Sequence, residues 1–313
     1  MDAFALTPEI LGLQDAAARF GHERLAPSVR DHERVRSWPP DVVDVVHDFS
    51  SGADPLAKVV LLETLAMYDA GGLFAADIDG PAAATGGPGW LFVPPAGAPR
   101  RVEWAPGWPA IARVWVSDGG GDELSLIDTS AASTTEVDAL AFHASGGIAI
   151  DLDGCPVLEE RTLPVGGGAA VRGWARLWCA AVAVGVAQSA FDATVAYTTE
   201  RMVFGKPVAY HQGNAFALAG LATDIHGARL AVRDAATADD GGFSATQAFL
   251  TAVDTAVAVT DAGIQLLGGH GFLVDHLAEK RFREARMLGL LFGGRDSAEA
   301  DAAALVLDVP TSL

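Results

Sequence analysis

The strongest constraint on the fold is a change of composition at Gly166-Gly167-Gly168, after which the chain becomes rich in alanine and follows a helical period. Helical patterns occupy four long segments, at about 170–201, 209–238, 243–267 and 284–307. In the third segment Phe249, Val253 and Val257 stand four residues apart and therefore share one helix face. Long helices with short connections predict a C-terminal four-helix bundle over residues 169–313.

The residues before the glycines, 80–168, have a different composition. Glycine and proline are frequent there, and short runs of β-forming residues alternate with turn signals such as Asp118-Gly119 and Asp153-Gly154. The runs lie at 112–116, 123–127 and 148–152. This pattern predicts a small antiparallel β-domain.

Residues 1–79 are predicted to form a helical unit. Thr7-Pro8 is typical of an N-cap followed by proline in the first turn, and predicts a helix that ends near Pro27. Further helices are predicted from Pro39 or Pro40, and over about 55–68 before the Gly71-Gly72 stop. The expected fold class is α+β, with domains at 1–79, 80–168 and 169–313.

Composition and motifs exclude several functions. A formal net charge of -19 disfavours nucleic acid and anionic membranes as partners. No apolar run approaches the roughly 20 residues that span a bilayer, and the start lacks a basic leader, so we predict a cytoplasmic protein. The histidines and two cysteines form no metal-binding spacing, and a Gly-x-Ser-x-Gly elbow is absent. We expect neither a metal site nor a serine hydrolase.

Two sequence blocks in the bundle carry a resemblance to a known family. The first runs from Tyr197 to Pro207 and is followed by Gln212, and the second is Gln-Leu-Leu-Gly-Gly at 265–269. The resemblance implies a diphosphate site here, to which Arg201 would offer forked donors and the two glycines would let backbone amides approach. The alternative is a surface arginine and a glycine pair that ends a helix.

Together with the segment 279–294, these blocks resemble the C-terminal signature of the acyl-CoA dehydrogenase family. The resemblance implies that family's fold, here with a shortened N-terminal unit. It also implies an FAD whose diphosphate and adenosine are held across a dimer interface, with the cofactor bound mainly by the neighbouring subunit. The cofactor-binding residues implied by the resemblance are Arg201, Phe204, Gln212, Gln265, Gly268 and Gly269.

The chain departs from the family pattern at the catalytic base. In the resemblance, Phe292 fills the position of the glutamate that removes a proton from the substrate. Other members carry the base before an arginine of the first bundle helix, which here matches Arg176 and leaves Ala175 in the base position. Neither side chain accepts a proton, so we expect no catalytic residue. The family's flavin-contacting runs in the β-domain are also missing, which predicts that much of the flavin-ring and acyl pocket is absent.

The sequence favours a non-catalytic subunit of a heteromeric acyl-CoA dehydrogenase of actinobacterial type. Such a complex is an FAD-dependent oxidoreductase of lipid metabolism that desaturates an acyl-CoA, and a partner chain would supply the glutamate. A redox-inactive homologue that acts as a scaffold, or on carrier-protein thioesters, is an alternative. A third hypothesis is a homodimeric enzyme with a displaced base, Asp296 or Glu299.

Overall fold

A computed structural model describes residues 6–50, 52–94, 100–117 and 121–307. Its N-terminal part is helical: α1 Pro8–Phe20, α2 Val29–Val35, α3 Pro40–Ser50, α4 Pro55–Asp69 and α5 Leu73–Ala76. Thr7 caps α1, and the Asp54 carboxylate caps α4 by accepting a hydrogen bond from the Ala57 amide at 2.9 Å. The sequence predicted α1, α3 and α4. It did not predict α2 and α5, which are too short for a helical period to show.

In the described residues of the next region, seven short strands follow: β1 Trp90–Phe92, β2 Arg101–Ala105, β3 Arg113–Ser117, β4 Glu123–Asp128, β5 Thr134–Glu136, β6 Ile148–Asp151 and β7 Val157–Thr162. They form one sheet of order β1-β3-β4-β7 and a second of order β2-β6-β5. The expectation of a purely antiparallel domain is wrong for one pair, since β1 runs parallel to β3. The parallel pair arises because the intervening β2 joins the other sheet. The predicted turn Asp118-Gly119 lies outside the described residues.

The C-terminal part contains the helices α6 Gly167–Glu200, α7 Gln212–Ala235, α8 Phe243–Leu267, α9 Ala278–Leu288 and α10 Gly294–Leu307. A small hairpin of β8 Met202–Val203 and β9 Lys206–Pro207 joins α6 to α7. The predicted fourth helix, 284–307, is in fact two helices. The break falls between the end of α9 at Leu288 and the start of α10 at Gly294. Within it Phe292 and Gly293 have φ values of 52° and 86°, which lie outside the right-handed helical region.

The helix α6 is the centre of the bundle, and α4 packs on it closely. A Cβ atom at Gly185 would lie 2.3 Å from the Glu63 carbonyl oxygen, so glycine is required at this crossing. Two stretches, Gly167–Glu200 and Phe243–Phe272, are long and apolar enough to cross a membrane, contrary to the sequence-based expectation. They belong to the bundle, with 67% and 44% of their apolar windows buried, and are weak evidence for a membrane protein.

Candidate functional site

A cavity of about 490 Å³ opens between strand β1, helix α9 and the turn that follows α9. Its floor is apolar and includes Trp90, Leu91, Leu291 and Phe292, which are all buried. The other lining residues are Phe92, Val93, Glu103, Trp104, Leu140, Arg283, Arg286, Met287, Leu290 and Gly293. The prediction that much of the flavin-ring and acyl pocket is absent stays a prediction, because this cavity is not thereby assigned to either group.

Phe292 forms part of the cavity wall. Its ring packs against Trp90 with 5.4 Å between ring centroids, and Trp90 in turn contacts Phe74 and Trp104 at 6.1 Å each. A bulky residue with positive φ is an outlier that the surrounding packing must hold in place. The position that resembles the family's base is therefore built as a fixed aromatic surface.

Carboxylates are scarce around this cavity. Among the described residues that line it, only Glu103 carries one, and that side chain lies largely in solvent, 3.4 Å from Arg101. Asp296 is exposed on α10 and does not line the cavity, and Glu299 is engaged by Arg295 at 2.7 Å. Neither carboxylate is placed to act as the displaced base of the third hypothesis.

The second base position, Ala175, is fully buried beside a structural ion-pair network. The Arg176 guanidinium donates to Asp301 at 2.6 Å and to Ser297 at 2.9 Å, and Arg172 also donates to Asp301. Burial alone would raise the pKa of the Asp301 carboxyl, but the two guanidinium groups outweigh it and hold the pKa below its usual value. These charges tie α6 to α10 and do not face the cavity.

A second buried network of charged groups connects helix α9 to helix α4. The Lys280 ammonium donates to Asp69 at 2.9 Å and to Glu284 at 2.5 Å, while Trp38 and His32 contact the other Asp69 oxygen. Burial raises the pKa of Glu284 to about 6. The sequence did not indicate this network, because charges on separate helices are normally taken as solvated.

The six residues implied to bind a cofactor lie elsewhere, at one end of the bundle. Arg201, Phe204, Gln212, Gln265, Gly268 and Gly269 are all exposed. Arg201 ends α6, and Phe204 forms the tip of the β8–β9 hairpin with φ 50° and 94% of its surface exposed. Gly268 ends α8 with φ 59°, a value that favours glycine.

The residues that follow α6 and those that follow α8 lie at the same end of the bundle, because the two helices end side by side. The Tyr197 hydroxyl near the end of α6 lies 3.1 Å from His270 Nδ1, which follows α8. The aromatic cluster around Phe292 is distant from this end. Trp178, which contacts Phe74 in that cluster, precedes Arg201 by 23 residues of α6, or ~35 Å of helix at about 1.5 Å per residue.

Residues 172–304 match the family model of the acyl-CoA dehydrogenase C-terminal domain. This region of the chain belongs to the acyl-CoA dehydrogenase family. Cyclohex-1-ene-1-carbonyl-CoA dehydrogenase of Geobacter metallireducens is 39% identical over 123 residues, which are 38% of this chain and 32% of that protein. A probable short/branched chain specific acyl-CoA dehydrogenase of Dictyostelium discoideum is 37% identical over 166 residues, 50% of this chain and 40% of that protein. The match thus spans less than half the length of these curated relatives.

Solved structures agree over nearly the whole chain. Butyryl-CoA dehydrogenase from Megasphaera elsdenii superposes with a TM-score of 0.83 at 20% identity, covering 98% of this chain and 100% of that one. A glutaryl-CoA dehydrogenase in complex with glutaryl-CoA gives 0.85 at 19% identity, covering 100% and 98%. At such identities the likeness establishes the acyl-CoA dehydrogenase fold, which confirms the predicted fold class.

The match of residues 172–304 to the acyl-CoA dehydrogenase family implies FAD, and a solved glutaryl-CoA dehydrogenase from Mycobacterium smegmatis is in complex with FADH2. The bundle end fits the diphosphate half of this cofactor, since it presents the Arg201 guanidinium and open backbone at Gly268 and Gly269, where an added Cβ would meet no atom within 4 Å. The cavity fits the flavin ring poorly. Its described lining is aliphatic and aromatic apart from Glu103, Arg283, Arg286 and two indoles, whereas a flavin ring requires several hydrogen-bonding partners.

Proposed function

We propose that this chain is a non-catalytic subunit of an FAD-dependent acyl-CoA dehydrogenase. The observation that carries the proposal is the buried Phe292 ring, held against Trp90 in the wall of the cavity. The sequence resemblance would align this residue with the family's catalytic glutamate. A residue without a titratable group cannot act as a general base. A catalytic partner chain of the same family would supply the glutamate.

In this proposal, part of the FAD site belongs to the present chain. Arg201, Gln212 and Gln265 would contact the diphosphate and adenosine of a cofactor bound mainly by the partner, and Gly268 and Gly269 would let the backbone approach it. Phe204 would add an exposed aromatic surface at the same end. In support, these residues are exposed, and Arg201 follows Trp178, a contact of the aromatic cluster around Phe292, by most of the length of α6. A cofactor that touched both places within one chain would have to run along much of the bundle.

The reaction of the complex would be the α,β-desaturation of an acyl-CoA thioester. The chemistry that bound FAD would supply is acceptance of the hydride from the β-carbon. The partner's glutamate would take the α-proton. The present chain would bind and orient the cofactor's diphosphate and exclude water at the interface, without moving a proton. We place this activity in lipid metabolism and in the cytoplasm.

Co-expression with a full-length acyl-CoA dehydrogenase from a neighbouring gene tests the proposal. The chain alone and the co-purified sample would be compared by flavin absorbance and by mass. We expect a yellow complex containing both chains and a colourless chain alone. A colourless chain that associates only with itself would contradict the shared site and favour a scaffold. A yellow homo-oligomer that is reduced by an acyl-CoA would show that the base is misassigned.

A further inference from the structure

We propose that the cavity beside Phe292 binds a small aromatic carboxylate, with the ring against the aromatic wall and the carboxylate at Arg286. This inference concerns a ligand of the chain itself. It does not depend on FAD or on a catalytic partner.

The wall selects an aromatic body. Four of the lining side chains carry rings, namely Trp90, Phe92, Trp104 and Phe292, and Met287 adds a polarizable sulfur. Within the wall, Trp90 already packs against Phe292 at 5.4 Å and Trp104 at 6.1 Å, so the rings form one surface. Aromatic pairs gain free energy beyond the burial of their area, and thioether groups also favour ring contacts. A volume of about 490 Å³ is suited to a small molecule.

The charges at the cavity select an anion. Arg283 is already engaged, since it donates to Glu279 at 2.7 Å and to Glu33 at 3.0 Å. Glu103 lies 3.4 Å from Arg101. Arg286 is different: in the part of the chain that the structure describes, no carboxylate lies within 4.0 Å of its guanidinium, which rests over the Phe282 ring at 5.1 Å. The lining therefore presents one uncompensated positive charge, which matches a carboxylate.

The mouth of the cavity presents apolar surface that a ligand would cover. Leu140 and Leu290 line the cavity, yet 71% and 75% of their surface is exposed. A ligand that fills the opening removes this surface from water, which stabilises the complex. The buried floor around Phe292 has no proton acceptor among its side chains, so the cavity would hold this ligand without converting it.

Isothermal titration of the chain with 3-phenylpropionate tests the inference. Two probes change one property each: 3-phenylpropanamide lacks the charge, and 3-cyclohexylpropionate lacks the aromatic ring. We expect saturable binding of 3-phenylpropionate and affinities at least about fivefold lower for both other probes, because each loses one of the two contacts.

Variants separate this site from general charge attraction. Arg286→Gln should weaken binding of 3-phenylpropionate about tenfold, as expected for loss of a charge-assisted hydrogen bond, and leave 3-phenylpropanamide unchanged. Arg19→Gln removes the same charge from an exposed site on α1, which does not line the cavity, and should change neither. Thermal unfolding of each variant verifies the fold.

Three results would overturn the inference: no heat of binding with 3-phenylpropionate at millimolar concentration, equal affinities in Arg286→Gln and wild type, or binding of the coenzyme A thioester without binding of the free acid. None of these depends on flavin content, so they are distinguishable from a failure of the shared FAD site.

Discussion

Glu284 shows how one buried side chain makes the fold sensitive to pH. It lies on α9 beside Lys280, and burial raises its pKa from 4.5 to about 6. The folded state therefore holds this proton more tightly than the unfolded chain does. The stabilisation from this group is complete below pH 4.5 and is lost as the pH rises through about 6, at a cost of roughly 2 kcal/mol.

We predict that Glu284→Gln removes this part of the pH dependence. The measurement is urea unfolding at pH 4.5 and pH 6.5. The unfolding free energy of the wild type, relative to that of the variant, should be lower at pH 6.5 than at pH 4.5. Glu279→Gln on the same helix is the control. Two arginines hold the pKa of Glu279 below its usual value despite the opposing effect of burial, so its substitution should change the slope in the opposite direction. An unchanged slope in Glu284→Gln would contradict the assignment.

Among individual residues, sequence motifs indicated which exposed side chains lie together, but they did not indicate the contacts between buried charged side chains. Arg201 and Gln265 belong to short motifs, and the structure places both at the same exposed end of the bundle. Asp69 and Lys280 are in direct contact but 211 residues apart in the chain. Only the fold brings such charges together, and no local pattern encodes their pairing. The role of the motif residues in binding FAD stays a prediction.

Two glycines of the bundle helices have different surroundings, so their replacement by alanine should have opposite effects on stability. At Gly185, in α6, an added Cβ would lie 2.3 Å from the Glu63 oxygen of α4, so Gly185→Ala should destabilise the chain by roughly 1–3 kcal/mol through overpacking. At Gly220, in α7, a Cβ would meet nothing within 4 Å, so Gly220→Ala should stabilise it by about 0.5–1 kcal/mol through helix propensity. Urea unfolding measures the change in unfolding free energy in both variants. Changes of the same sign would contradict the different packing around the two glycines.

The sequence predicted the bundle helices but not the break between α9 and α10. Gly289 and the pair Gly293-Gly294 are turn signals in this segment, and the prediction of one helix over 284–307 did not take them into account. The turn depends on Phe292 adopting positive φ, which an aromatic residue rarely does without support from its surroundings. That support comes from Trp90 in the β-region, about 200 residues earlier in the chain. The same long-range packing creates the cavity.

At the scale of the whole molecule, we propose that two functions lie in separate regions of the chain. The bundle end would present the exposed Arg201 and open glycines to a cofactor shared with another chain, while the buried region around Phe292 would be a binding surface without a base. The two are far apart along α6, so a substitution at one is expected to leave the other intact. A direct test must therefore report cofactor occupancy and complex formation separately.

The most direct measurement is the flavin content per complex of the co-purified heteromer with Arg201→Gln in the present chain. Our account predicts a complex of unchanged mass whose flavin dissociates at least about tenfold more readily, because a charge-assisted contact to the diphosphate is lost. The control Arg19→Gln should keep the wild-type flavin content. Full flavin retention in Arg201→Gln would contradict the claim that this chain completes the FAD site of its partner.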